Sequence, residues 1–439
     1  MSGVNRRKTT YMLNMGPSHP SMHGVVRLVL ELDGERIVAC ETEIGYLHRA
    51  FEKHAEVETW NNVVPWTDRL NYGSPLINNV GYALAVEKLA GIEVPERGQY
   101  IRVIASELSR VTDHLTCVAA TAMELGSLTV FLYLIKAREF LYQRVDDLTG
   151  ARVTTAFTRI GGVKADLPDG FAEQCVAAFA EVRMAVCEAD KLLTKNRIFM
   201  DRVEGTGIIS KEDAVAYGIT GPFLRSTGVP YDVRRAHPYL VYDRFDFDVP
   251  IGSTGDNYDR YLCRLAEIEQ SLRILEQAFS QIPDGKHSLE PSEIKYAYEL
   301  QDMGKHGNTE LIQKYTAKVD QTLEGMTGTV RAANRWATLP TKEQTYTNIE
   351  GLMNHFELVM WSWGIKIPPG ETYGAVEGAN GELGFHAVSD GGDGPYRLRC
   401  RPPCLFTMAA LSKIIVGAQI ADIVPTFGSV NMIAGELDR

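Results

Sequence analysis

Tyr100-Ile-Arg-Val-Ile-Ala-Ser-Glu-Leu-Ser-Arg-Val-Thr-Asp-His-Leu-Thr-Cys-Val-Ala-Ala-Thr-Ala-Met123 places Ile101, Ile104, Leu108, Val111 and Leu115 three and four residues apart. That spacing puts them on one face of an α-helix and predicts a long helix with a core-facing stripe. The pattern recurs in Pro75 to Ala90, which stops near Gly91 and Pro95, in Leu128 to Leu148 and in Gly170 to Lys195. These four runs predict an antiparallel bundle. Gly161-Gly162 and Pro168-Asp169-Gly170 break the chain between the last two. Further helices are expected after a Ser210 N-cap, over Tyr258 to Phe279 and over Thr341 to Trp363.

The two ends read differently. Val25 to Glu43 alternates and turns at Asp33-Gly34, a hairpin signature. Thr372 to Glu377, a turn at Asn380-Gly381, Glu382 to Ser389 and Tyr396 to Cys400 predict a second sheet, and Leu405 to Val424 a last helix. The expected class is α+β, predominantly helical, built as one unit. Residues 1–13 read as an N-terminal extension and 14–439 as a single domain. Within it lie the hairpin at about 25–43, a helical core at about 75–363 and the C-terminal strands and helix at about 372–439.

The 439 residues are 45% hydrophobic and 23% charged, the composition of a globular protein, with a net charge of -11. That charge argues against nucleic acid and against an electrostatic membrane anchor. No signal peptide and no spanning segment is expected: Ile414 to Ala434, the most apolar stretch, contains Asp422, Pro425 and Asn431. Seven scattered cysteines without a C-x-x-C argue against a disulfide framework and fit a cytoplasmic setting. Cys400 and Cys404 stand close, but two thiolates fall short of the three or four ligands a metal site needs, so no metal site is expected.

Chemistry concentrates in a few places. Gly16-Pro17-Ser18-His19-Pro20-Ser21-Met22-His23-Gly24 is an irregular loop entering a strand, stiffened by proline, and it offers two imidazoles. The zinc-hydrolase pattern fails, because Pro20 follows His19 and no neighbouring Glu is present. Tyr72, beside a turn at Asn71 and Gly73, is either a packing residue or a phenol able to donate to a carbonyl oxygen. Glu124 ends the apolar helix and is either exposed or paired, a histidinium being a suitable partner. Ile44 to Asn71 mixes charges with Trp60 and Trp66, as a partner-facing region would. No phosphate-binding glycine loop and no nucleophile elbow occurs.

The order of the motifs is more informative than any one of them. Asn14-Met-Gly-Pro-Ser-His-Pro-Ser-Met-His-Gly24, Ile44-Gly-Tyr-Leu-His-Arg49, Ile160-Gly-Gly-Val163 and Asp248-Val-Pro-Ile-Gly-Ser253 resemble segments of the 49-kilodalton-type subunit of respiratory complex I. Tyr258-Asp-Arg-Tyr-Leu-Cys-Arg264, Ile349-Glu-Gly-Leu-Met-Asn-His355, Val388-Ser-Asp-Gly391 and Gly435-Glu-Leu-Asp-Arg439 extend the resemblance over nearly the whole chain. It implies the fold of the nickel–iron hydrogenase large subunit, with a central helix bundle and small β-sheets from the two terminal segments. It does not imply nickel binding, since the first cysteine pair is missing and Cys40 stands alone there.

The resemblance further implies the quinone-reducing core of a proton-translocating NADH:quinone oxidoreductase, active only within the complex and peripheral on the cytoplasmic face of the membrane. His23 and Tyr72 would hold the quinone head group, and Glu124 would pair with His23. Arg49 would lie beside the terminal 4Fe-4S cluster, held by a small partner subunit, and His19 is assigned to the same cofactor-facing side. This chain would bind no cofactor itself; FMN and NADH would bind elsewhere in the complex. Implied partners are the cluster-bearing subunit, the peripheral-arm subunits and the membrane-arm subunit of the quinone channel. A related complex fed by ferredoxin, and a purely structural interface role, are the alternatives.

Departures from the family pattern are Glu124 for Asp, Asn71 for the Asp before the tyrosine, Ala50-Phe51 after Arg49, and Thr154 where some relatives carry histidine. The first would change the geometry toward His23. The second would remove a charge. The last would weaken proton-linked reduction of the cluster.

Overall fold

The computed structural model describes residues 10–289, 297–298, 330–331, 339–360 and 364–439. Three strands, β1 (Tyr11–Met15), β2 (Arg27–Asp33) and β3 (Arg36–Glu43), form an antiparallel sheet in the order β1-β2-β3. The hairpin turns at Asp33-Gly34 as the sequence predicts. β1 is additional: it pairs Met15 with Leu28 and Tyr11 with Leu32, and so draws residues 11–13 of the expected extension into the sheet. Leu28, Leu30 and Leu32 alternate inward and pack with Met22, Val26 and a C-terminal helix.

Helices α1 (Phe51–Ala55), α2 (Trp60–Thr67) and α3 (Pro75–Ala90) follow, then α4 (Glu96–Glu124), α5 (Leu128–Thr149) and α6 (Phe171–Leu193), with the short pair β4 (Thr158–Arg159) and β5 (Gly162–Val163) before α6. Four short helices come next: α7 (Arg197–Val203), α8 (Lys211–Ala216), α9 (Gly221–Arg225) and α10 (Val233–Ala236). Ser210 caps α8 by accepting the Asp213 N–H at 3.1 Å, as predicted. α11 (Asn257–Gln281) is the last long helix among the described residues, and Ala297–Tyr298 (β6) pairs with Val330–Arg331 (β7).

The bundle differs from the expected one in one member. α4, α5, α6 and α11 pack around a shared apolar core that includes Leu108, Leu115, Leu134, Phe179 and Leu272. α3 touches α4 but lies mainly on the C-terminal sheet of β8 (Gly370–Gly378), β9 (Gly381–Ser389) and β10 (Arg397–Arg401). Small residues allow this: a Cβ at Gly81 would meet Val376 at 2.9 Å, and one at Gly374 would meet Ala85 at 2.9 Å. At these two points the helix approaches the sheet closely, while Tyr82 packs edge-on against Phe385 beside them.

Two predicted helices are each divided. Thr341 to Trp363 becomes α12 (Lys342–Thr347) and α13 (Ile349–Val359), because Asn348 is extended and caps the second; residues 361–363 lie outside the described ones. Leu405 to Val424 becomes α14 (Pro403–Ile415) and α15 (Ile423–Val430), separated by an extended Val416 and a left-handed Gly417. α16 (Ala434–Asp438) ends the chain.

α4 is buried on nearly all sides, including Arg102, Glu107, Arg110, Asp113 and His114. Most of these charges are matched within the chain. Arg102 pairs with Glu87 at 2.5 Å, and Glu107 is held by Arg110, Arg234 and the Tyr242 hydroxyl. Burial alone would raise the Glu107 carboxyl, but Arg110 and Arg234 outweigh it and hold the group below its usual range. Arg225 bridges Glu267 and Glu377, and His114 Nε2 lies 2.9 Å from Glu267. These pairs fix α4 against α9, α11 and the sheet, and α4 carries the residues that matter next.

Candidate functional site

Pro20–Met22 forms one 3-10 turn. The Ser21 N–H donates to His19 Nδ1 at 3.2 Å, so His19 closes this turn instead of facing outward with both nitrogens. His23 follows in the left-handed conformation, φ 56°, an uncommon one for a side chain other than glycine. Met22 and Val26 are fully buried and anchor the loop, while the His23 side chain is 45% exposed. Its Nε2 lies 3.5 Å from Oε1 of Glu124, the last residue of α4. Phe427 of α15 meets the ring edge-on with centroids 5.9 Å apart. Glu124 Oε2 is buried and has no hydrogen-bond partner among the described residues. Gly428 leaves room for it: a Cβ there would come within 2.9 Å of that oxygen.

Tyr72 sits on the loop between α2 and α3. Asn71 Oδ1 accepts the Gly73 and Ser74 N–H groups at 3.0 and 3.3 Å, an Asx turn around the tyrosine. Asn71 Nδ2 and Ser74 Oγ both donate to Asp113 Oδ2 of α4, each at 3.0 Å. Asn431, the left-handed cap of α15, donates to the other oxygen, Oδ1, at 2.8 Å. The expected loss of charge at Asn71 is therefore made good from a different element: Asp113 puts a buried carboxylate against the same turn. Sequence reading passed over Asp113, although a charged residue inside an apolar helix was a usable signal.

A thiol and a second carboxyl lie near that carboxylate. Cys404 N–H donates to Glu436 Oε1 at 3.1 Å, and Cys404 Sγ lies 3.6 Å from the Asn431 carbonyl oxygen. Burial first, with Asp113 adding to it, pushes the Glu436 carboxyl up to about 7. The Cys404 thiol is driven well above its usual range by burial and then by Glu436. Tyr72 is 43% exposed, yet its phenol is raised too, by partial burial and then by Cys404, Asp113 and Glu436. Glu436, Cys404 and Tyr72 are thus all shifted toward their protonated forms. Among the described residues no group of three or more His, Cys, Asp or Glu is arranged to hold a metal.

His23 and Tyr72 thus stand over the C-terminal half of one helix, through Glu124 and Asp113. At 1.5 Å per residue these are about 16 Å apart along its axis. α15 touches both ends, through Phe427 and Gly428 at one and Asn431 at the other.

Arg49 lies in the segment between β3 and α1. The preceding turn is stitched to the chain end: Gly45 and Leu47 N–H groups donate to Asp438 at 2.9 and 2.7 Å, and His48 Nδ1 contacts the Asp438 carbonyl at 2.7 Å. Arg49 Nε and Nη2 are buried without a partner among the described residues. Burial and then the nearby Arg69 lower its pKa. Ile44, Tyr46 and Leu47 around it are exposed. A cleft of about 390 Å³ beside it is lined by His48, Glu52, Arg397, Leu437 and Arg439. Thr154 is exposed and offers no titrating group.

Comparison with known proteins gives one answer. A family described as "Respiratory-chain NADH dehydrogenase, 49 Kd subunit" matches residues 124–321 and 309–439. The D-type NADH-quinone oxidoreductase subunit numbered 1 in Sorangium cellulosum (strain So ce56) is 50% identical over 428 residues, covering 98% of this chain and 95% of the relative. The D-type NADH-quinone oxidoreductase subunit of Myxococcus xanthus (strain DK1622) is 48% identical over 428 residues, covering 98% and 92%. The C/D-type NADH-quinone oxidoreductase subunit of Bdellovibrio bacteriovorus is 44% identical over 427 residues, covering 97% of this chain and 68% of its own length. The chain belongs to the family of the 49-kilodalton subunit of respiratory-chain NADH dehydrogenase and is part of an NADH–quinone oxidoreductase complex.

Proposed function

We propose that this subunit forms the quinone head-group site of the complex, with Tyr72 and His23 as the hydrogen-bond donors and Glu124 as the partner of His23. The observation that supports the reading is that α4 and α15 supply the neighbours of both segments: Glu124 and Phe427 stand against His23, and Asp113 and Asn431 hold the loop that carries Tyr72. Both rings are about half exposed, as expected of a pocket whose remaining walls come from another chain.

Quinone reduction takes two electrons and two protons. Hydrogen-bond donors aimed at the two carbonyl oxygens stabilise negative charge as it develops there. Tyr72 supplies a phenol held in its protonated form. His23 supplies an imidazole N–H, with the Glu124 carboxyl 3.5 Å from its Nε2. Arg49 fits the neighbourhood of a partner-held 4Fe-4S cluster, because two of its guanidinium nitrogens are out of water and unpaired among the described residues. Such a cluster would supply the electrons, and a cation beside it favours its reduced form.

We read the fold as that of the nickel–iron hydrogenase large subunit, with the quinone site near the cysteine pair's end of it. Cys404 beneath Tyr72 supports that reading. Among the described residues no helix is long and apolar enough to cross a membrane. Together with the family, this favours a peripheral position on the cytoplasmic face. The relative whose name joins the C and D types favours a C-type chain as an adjacent partner.

His23→Ala and Tyr72→Phe, made in the assembled complex, test the proposal. Each should lower NADH-driven quinone reduction at least about tenfold while assembly is kept. Full turnover by both variants would leave a purely structural role.

A further inference from the structure

Tyr72 owes its place to a carboxylate that lies outside its own loop. Asp113 is 1% exposed, and the described residues give it no cation partner. Three neutral donors hold it instead: Asn71 and Ser74, which flank the tyrosine, and Asn431 at the end of α15. Thr112, the residue before it, reaches toward the Gly73 carbonyl oxygen at 3.5 Å. A Cβ at Gly73 would lie 3.1 Å from the Asp113 carboxylate, so the loop backbone runs directly over it.

A buried carboxylate accepting three hydrogen bonds is a strong clamp, because a charged acceptor roughly doubles the strength of each bond. Moving either flanking donor leaves that charge short of a partner in a site with little water, and this is costly. The loop is thereby restricted to one register. Asn431 restricts α15 as well, and α15 carries the Phe427 that packs on His23. One carboxylate couples the two halves of the site.

We infer that Asp113 is a positioning residue for quinone reduction: through Asn71, Ser74 and Asn431 it fixes the Tyr72 hydroxyl relative to His23. The inference rests on the proposed head-group site. It adds that the geometry of the site depends on a single carboxylate shared between a loop, a helix and the cap of another helix, and that this carboxylate is exchangeable across the Asn71–Asp113 contact. Asp at 71 would keep accepting the Gly73 and Ser74 N–H groups. Asn at 113 would donate across the contact and still accept from Asn431.

The experiment is a mutant cycle in the assembled complex, with quinone turnover, KM for quinone and NADH oxidation by an artificial upstream acceptor measured for each form. Asp113→Asn should lower kcat and raise KM for quinone, with turnover down between about ten- and a hundredfold and upstream oxidation unchanged. Asn71→Asp alone places two carboxylates against each other and should also be impaired. Asn71→Asp with Asp113→Asn should return turnover to within about threefold of the parent, which loss of general stability would not do. Added to Tyr72→Phe, Asp113→Asn should cost less than about threefold further, because the hydroxyl it positions is already gone.

If Asp113→Asn is silent, if the exchange gives no recovery, or if Asp113→Asn is as damaging with Tyr72→Phe as without it, the inference is overturned and the head-group site stands. If Tyr72→Phe is itself silent, the head-group site falls and takes the inference with it. Should Asp113→Asn fail to assemble, the exchange decides alone: restored assembly and turnover support the clamp, and their absence refutes it.

Discussion

Replacing Glu436 by Gln keeps the shape of the side chain and removes its one titrating proton. Glu436 is buried, and its carboxyl is raised from 4.5 to about 7. At 1.36 kcal/mol for each pH unit, that rise corresponds to about 3 kcal/mol. The sign follows from proton counting. Between about pH 4.5 and pH 7 the native chain holds a proton that the unfolded chain has already released. Stability from this group is complete below the unfolded value and is lost as pH rises through about 7. Gln has no such dependence, and its Oε1 can still accept the Cys404 N–H. The difference in unfolding free energy, variant minus parent, should therefore grow by about 3 kcal/mol between about pH 5 and about pH 8. Urea denaturation of the purified chain, followed by tryptophan fluorescence at both pH values, measures it; other carboxylates cancel in the difference. A change below about 1 kcal/mol would mean that Glu436 is ionised in the native protein, and the reading of a proton-rich cluster beneath Tyr72 would be wrong.

Gly428→Ala should push the Glu124 carboxylate away from His23, since the added Cβ falls 2.9 Å from Oε2. Quinone turnover should drop several-fold with little change in assembly, whereas parental turnover would show that the Glu124–His23 contact is dispensable. Arg225→Met should destabilise the chain by about 3–5 kcal/mol, because Glu267, Glu377 and Asp232 would be left buried without their shared cation. Denaturation within about 1 kcal/mol of the parent would contradict that account of the core.

The sequence was most informative where one element decides its own structure. α4 follows from its apolar spacing, and α3 ends at Gly91 as expected, because both signals are local. The role of α3 was not legible: its small face, including Gly81, fits a sheet that forms almost 300 residues later. The divisions at Asn348 and at Val416-Gly417 interrupt runs whose composition alone favours helix. β1 was missed because Tyr11–Met15 is short and its pairing with β2 is set by the register of the hairpin.

The site divides in the same way. His23 stood out on its proline-bound loop, and the resemblance paired it with Glu124, whose geometry the fold now supplies at 3.5 Å. Asn71 looked like a lost charge, because the compensating Asp113 is 42 residues away in sequence. The Asn431 contact, 318 residues from Asp113, has no local signature at all. His19 attracted attention as an imidazole, yet its Nδ1 is occupied within its own turn.

The most direct test is the structure of the assembled complex with quinone bound. One carbonyl oxygen of the head group should lie within about 3 Å of the Tyr72 hydroxyl, with the His23 ring on the opposite side of the same cavity. A head group lodged elsewhere, or the two rings opening into separate spaces, would contradict the account.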